Sequence, residues 1–183
     1  MDRPVYSLHL FAGAGGGMLA DALAGVTPVC AIEVEPFCQR ILAARFPGVG
    51  IWDDVRTFRA DNAECADVFA ALRAVADGLV IAGGFPCQDI SCAGRGAGIG
   101  GARSGLWSEF ARIVREIRPR HVLVENSPML VSRGLGRVLG DLAAMGYDAA
   151  WGVLGAGALG ALHRRERIWI AARRHDLADA EGK

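Results

Sequence analysis

The sequence predicts an α/β protein: a doubly wound, mostly parallel sheet with a final antiparallel strand. Three observations predict it. Short apolar runs alternate with helix-like segments from end to end, the pattern of βα units stacked side by side. The first strand-like run opens into a glycine-rich turn that leads straight into a helix. The run Leu79-Val80-Ile81-Ala82 reads as a fully buried strand and then breaks into Gly83-Gly84-Phe85-Pro86, where a strand must end.

The elements follow in order. Residues 5–11 form a first strand, and a helix starts at 17–23 after the glycine turn. Residues 29–33 are a second strand, followed by a helix near 37–46. Ile51 marks a short third strand, and residues 61–76 show amphipathic helical periodicity. Residues 79–82 are the fourth strand, 106–117 a helix stopped by Pro119, and 121–125 the fifth strand. Residues 132–145 read as one further helix, and 148–154 with 167–173 as a last strand pair. Residues 1–175 thus make one domain, and 176–183 a polar tail.

Composition excludes several classes. A chain of 183 residues with 52% hydrophobic content and mean hydropathy +0.26 buries roughly 70% of its unfolded surface and is not disordered. Formal net charge is zero, which argues against a protein that coats nucleic acid by charge alone but leaves room for a local basic patch. The five cysteines include no CxxC pair, so neither a disulfide framework nor a metal site is expected. A signal-like N-terminus and an 18-residue apolar run are both lacking, which gives a cytoplasmic expectation with no membrane partner.

The turn Phe11-Ala12-Gly13-Ala14-Gly15-Gly16-Gly17 stands where open α/β sheets bind adenosine-containing cofactors, as in Rossmann-like folds. Glycines let the backbone approach the ligand, and an acidic residue about 20 positions on can hold a ribose hydroxyl. Glu33 lies 20 residues after Gly13, with Glu35 as a competitor. The dinucleotide fingerprint fits less well, because its third glycine falls on Met18. A tight turn with no ligand is the plainer alternative.

Cys87 follows Pro86 directly at the end of the fourth strand. A rigid strand that delivers one thiol into a glycine-rich loop is good geometry for a nucleophile, although most cysteines are small core residues. Read alone, Glu125-Asn126 is a helix-capping pair and residues 164–167 a solvated basic turn. Cys92, five residues past Cys87, has no histidine or third cysteine nearby to make a metal site.

Together these segments resemble the catalytic domain of DNA (cytosine-5) methyltransferases. The matches keep the family's order: Phe-Ala-Gly-x-Gly-Gly at 11–16, Glu33, Asp54-Val55, then Gly84-Phe85-Pro86-Cys87-Gln88 with Ser91 behind. The segment 103–114, Glu125-Asn126 and Arg165-Glu166-Arg167-Ile168 complete the set. The resemblance implies a class I S-adenosylmethionine-dependent fold with S-adenosyl-L-methionine as cofactor. It makes Cys87 the nucleophile toward C6 of a flipped cytosine, with Pro86 and Gln88 beside it. Glu125 grips and protonates the base, and Asn126, Arg165 and Arg167 support that grip. Phe11, Ala12, Gly13, Gly15, Gly16, Glu33, Val34, Asp54, Val55, Gly84, Pro86 and Leu106 then hold the cofactor, and no metal is implied. Residues 89–103, with five glycines, Arg95 and Arg103, read as a loop that closes over DNA and contacts phosphates.

The chain departs from the family at four positions. His9 stands in place of an aspartate, Val34 of a stacking aromatic, Ser127 of a valine and His163 of a glutamine. The family also continues into a target recognition domain and a C-terminal motif that completes the cofactor pocket. The expectation is therefore a second polypeptide that supplies those parts, or an enzyme of little sequence preference. Duplex DNA is the expected substrate, in a prokaryotic or phage setting. RNA such as tRNA, a non-catalytic regulatory role and, more weakly, a nicotinamide oxidoreductase are the alternatives.

Overall fold

A computed structural model describes residues 3–86 and 105–175. Cys87, Gln88, Ser91, Cys92 and the rest of segment 87–104 lie outside the described residues, as does the tail. Seven strands form one sheet: β1 (Tyr6–Leu10), β2 (Thr27–Ile32), β3 (Gly50–Trp52), β4 (Leu79–Gly83), β5 (His121–Asn126), β6 (Tyr147–Gly155) and β7 (Glu166–Arg174). Their order across the sheet is β3-β2-β1-β4-β5-β7-β6. All pairings are parallel except those of β7, which runs antiparallel to both β5 and β6. The chain belongs to the predicted class, and its final, antiparallel strand β7 inserts between β5 and β6.

Among the described residues six α-helices connect the strands: α1 (Gly16–Leu23), α2 (Pro36–Arg45), α3 (Ala66–Ala74), α4 (Gly105–Ile117), α5 (Leu130–Arg133) and α6 (Leu135–Ala144). Helix α2 starts where the sequence dictates. Pro36 occupies its first turn, where no N–H is needed, and the Glu35 carboxylate caps it by accepting from the Phe37 N–H at 3.3 Å. Segment 61–76 is helical in two parts: a 3₁₀ turn at Ala63–Cys65, capped by Asn62, leads into α3. The single helix expected over 132–145 is also two, because extended backbone at Gly134 (φ −169°) separates α5 from α6.

Two apolar layers flank the sheet. The larger packs Leu8, Ile81, Val122, Val124, Ile168 and Ile170 against Phe69 of α3, Trp107, Phe110 and Val114 of α4, and Val138 of α6. Trp107 stacks on Phe110 at 5.4 Å and touches Phe85 at 5.5 Å, so the aromatic core reaches the loop that precedes Cys87. The smaller layer, Met18, Ala31 and Leu42, lies beneath α1 and α2 on the opposite face. On that second face no helix among the described residues covers the far half of the sheet, and Ala150, Trp169 and Ala171 stay exposed. The Cys30 thiol is buried at 5% exposure, and burial pushes its pKa up to about 12. It behaves as a small core residue.

In a sheet of this order the strand sequence reverses between β1 and β4, and ligands bind outside the carboxyl ends there. The antiparallel β7 has a consequence for that edge. Its beginning, not its end, lies beside the end of β5, with Trp169 opposite Glu125 and Ile168 opposite Asn126. Arg165 and Arg167 are thereby delivered to the edge where β1, β2, β3 and β4 finish.

Candidate active site

The turn after β1 is built for close approach. Phe11 itself adopts a left-handed backbone (φ 57°), as does Gly13 (φ 55°). The Phe11 conformation costs about 1 kcal/mol or more in a non-glycine residue and persists only where surrounding contacts impose it. The Gly13 N–H donates to Glu33 Oε2 at 2.6 Å, and the Glu35 N–H donates to Glu33 Oε1 at 2.9 Å. Both carboxylate oxygens are therefore fixed, and a β-carbon placed at Gly13 or Gly16 would meet nothing within 4 Å. This leaves an open cradle over the turn with an oriented acid at its rim. Glu35, the competitor, instead caps α2.

A pocket of about 650 Å³ lies against this turn. Phe11, Glu33, Val34, Asp54, Val55, Gly84, Pro86 and Leu106 line it, eight of the twelve residues expected to hold a cofactor. Asp54 is held by a two-pronged pair, with Arg56 Nε and Nη2 donating at 3.0 and 2.7 Å. The Arg56 hydrogen bonds hold the Asp54 carboxyl below the usual carboxylate range, so it stays ionised well into acid. Ala12 and Gly16 line a second pocket, whereas Gly15 lines neither. The Gly15 N–H is engaged by the Ala12 carbonyl, and its Cα faces Phe46 and Leu42 of the α2 region.

Arg112 of α4 is a supporting residue that the motif reading missed. Its Nη2 donates to the Val55 and Phe58 carbonyls at 2.9 and 3.0 Å, and its other nitrogens pair with Glu109 and Glu116. It pins the loop after β3 and so fixes Asp54 and Val55. The spacing Glu109-x-x-Arg112-x-x-x-Glu116 was visible as a helical charge ladder, but not the carbonyls it reaches.

The second pocket, about 550 Å³, holds Glu125, Arg165 and Arg167 with Gly84, Leu154 and Trp169. Arg167 Nε lies 2.6 Å from Glu125 Oε1, both side chains being about 30% exposed. A pair this open to water adds at most about 1 kcal/mol to folding, so its effect is to aim the carboxylate. Asn126 is 2% exposed. Its Nδ2 donates to the Phe85 carbonyl at 3.0 Å, and its Oδ1 accepts from the Ser127 N–H at 2.8 Å. It ties the end of β5 to the Phe85-Pro86 loop and does not cap α5, which starts at Leu130.

Gly84 joins these parts. It lines both pockets, and a β-carbon there would stand 2.6 Å from Glu125 Oε2. Gly84→Ala is expected to displace that carboxylate and to lower turnover roughly 100-fold, the scale of an ångström misplacement. Little change in melting temperature should accompany the loss, because a partly exposed carboxylate, not the core, gives way. Kinetics and thermal melts on the same preparation check both halves.

Residues 5–181 match the family model for C-5 cytosine-specific DNA methylase. The chain belongs to the C-5 cytosine-specific DNA methylase family. It is 33% identical over 178 residues to the type II methyltransferase M.CviJI of Paramecium bursaria Chlorella virus IL3A, covering 96% of this chain and 45% of that protein. To M.Eco47II of Escherichia coli it is 35% identical over 178 residues, or 94% of this chain and 40% of the relative. The structure of Dnmt2 methyltransferase from S. pombe shares the fold, with TM-score 0.71, 21% identity, and coverage of 93% of this chain and 49% of that one. This C-5 methylase chain spans about half the length of the curated relatives it matches. Among its described residues no helix is long and apolar enough to cross a membrane.

Proposed function

We propose that this chain carries the catalytic half of an enzyme that methylates C5 of cytosine in DNA, through a covalent bond between Cys87 and C6 of a flipped base. The observation that supports this most directly is the Glu125–Arg167 pair beside Gly84, at the edge where the Pro86 loop and the cradle at Phe11 and Gly13 meet. Cytosine C5 is a poor nucleophile. A thiolate adding to C6 pushes the ring's electrons toward C5, and a carboxyl group on the N3 edge stabilises the charge that would otherwise build there. Glu125, aimed by Arg167, serves that edge. A free thiol, with a pKa of about 8.5, is only slightly ionised at neutral pH, and Arg165, in one pocket with Gly84, would supply positive potential. Loss of the C5 proton and expulsion of the thiolate then restore the ring. Such a pocket cannot reach a stacked base, so the cytosine leaves the helix.

S-Adenosylmethionine would supply the methyl group. The residues present fit it: Glu33, with both oxygens oriented at the rim of an open glycine cradle, suits a ribose diol. Asp54, kept ionised by Arg56, suits an exocyclic amine. Val34 is 66% exposed at the pocket and offers one apolar face to the adenine where the family has an aromatic. A nicotinamide dinucleotide fits less well, because the third glycine of its fingerprint falls on Met18.

The resemblance puts the reading of base edges in a groove outside the length that this chain shares with its relatives. We assign that task to a further polypeptide segment or partner. Tritiated methyl transfer to duplex DNA and to tRNA, alone and with the product of the neighbouring gene, tests the reading. Label in DNA and not in tRNA is expected. Label in tRNA alone would make the protein an RNA methylase, and no label despite tight binding of S-adenosylhomocysteine would leave a regulatory subunit.

A further inference from the structure

The second pocket contains a hydrogen-bonded pair that the methyl transfer chemistry above does not use. His9 on β1 is 5% exposed, and its Nε2 lies 2.6 Å from Asp21 Oδ2 on α1. Their side chains are 7% and 22% exposed. Both residues line the pocket together with Gly17. A β-carbon at Gly17 would stand 2.9 Å from His9 Cε1 and 3.0 Å from Nδ1, so only glycine leaves room for the ring. Three residues of one βα unit are thus fitted to one another.

Two features say what the pair faces. Phe11 and Gly84 line both pockets, so a ligand whose adenosine fills the first and which extends past Phe11 enters the second. The part of S-adenosylmethionine beyond its adenosine is an amino acid with an ammonium group. The second feature is the departure noted in the sequence: His9 stands where the family has an aspartate. Here the carboxylate is carried by Asp21, one residue removed, with the imidazole in between. With Nε2 donating to Asp21, the neutral ring keeps Nδ1 as an acceptor, and among the described residues Asp21 is the ring's one hydrogen-bond partner.

We propose that His9 and Asp21 act as a unit that binds the ammonium of the cofactor's amino-acid end. His9 accepts from the ammonium and Asp21 supplies the negative charge. This rests on the cofactor reading above and adds the residues that distinguish the whole cofactor from its adenosine part. It also accounts for Gly17, which otherwise has no role.

Calorimetry with two ligands tests it. S-Adenosylhomocysteine carries the amino acid, whereas 5′-methylthioadenosine has the same adenosine and thioether without it. Asp21→Asn and His9→Phe are each expected to weaken S-adenosylhomocysteine about tenfold, and to leave 5′-methylthioadenosine within about twofold. Unchanged binding of the shorter ligand also certifies that each variant is folded. The double variant His9→Asp, Asp21→Asn, which returns the carboxylate to position 9, is expected to recover most of the lost affinity. Equal weakening of both ligands would reduce the pair to a tether between α1 and β1, and no weakening of either would also overturn the proposal. If the unaltered protein binds neither ligand, the cofactor reading itself fails and takes this inference with it.

Discussion

Cys87→Ser is expected to abolish methyl transfer, by at least about a thousandfold, while Cys92→Ser leaves the rate within a few-fold. A hydroxyl at position 87 is hardly ionised at neutral pH and adds poorly to C6, so the variant loses the nucleophile itself; comparable removals cost this much or more. The contrast between the two positions carries the test. Pro86 lines the pocket beside Phe11 and Glu33, and Asn126 Nδ2 holds the Phe85 carbonyl at 3.0 Å, so the chain is anchored immediately before residue 87. Cys92 lies five residues further along, just before the glycines that begin at Gly94. Radiolabel counting on duplex DNA separates the two, and equal behaviour would remove Cys87 from the mechanism.

Glu125→Gln is expected to lower kcat by roughly 10²–10⁴, the range for loss of a positioned acid–base group, with S-adenosylhomocysteine affinity unchanged. Glutamine keeps the size and one oxygen for Arg167, but it cannot give up a proton. Arg167→Ala should produce a smaller loss, about 10- to 100-fold, because the carboxylate remains but is no longer aimed. Melting temperature should hardly move in either case, since an ion pair with both side chains about 30% exposed contributes at most about 1 kcal/mol. A large drop in stability in Arg167→Ala would instead make the pair a structural element.

The strands were legible because most are short apolar runs, the mark of a parallel sheet buried between layers. The glycine turn and the 20-residue step to Glu33 marked out, in the same way, the edge where we propose that the cofactor binds. What sequence did not reveal depends on contacts between elements. Nothing local says that β7 inserts between β5 and β6, yet that insertion brings Arg167 to Glu125. Glu35 competed with Glu33 in the sequence, and only the structure shows the Gly13 and Glu35 N–H groups on Glu33 and makes Glu35 the cap of α2. The ring of His9 meets Asp21 only because α1 folds back on β1, twelve residues later. Arg112 stands in no motif, and its role appears only in the carbonyls of Val55 and Phe58. Gly134, one glycine among several in a periodic stretch, gave no sign that it would split a helix.

The central claim, a sulfur–carbon bond to the target pyrimidine, is tested most directly with duplex DNA containing 5-fluorocytosine. Fluorine at C5 cannot leave as a proton does, so an attached enzyme stays attached once the methyl group has been transferred. With S-adenosylmethionine present, and the recognition partner if methyl transfer requires it, the account predicts a denaturant-stable protein–DNA adduct. Peptide mapping should place the link at Cys87, and Cys87→Ser should give none. Methylation of ordinary cytosine without any such adduct, or a link mapped to another residue, would contradict it.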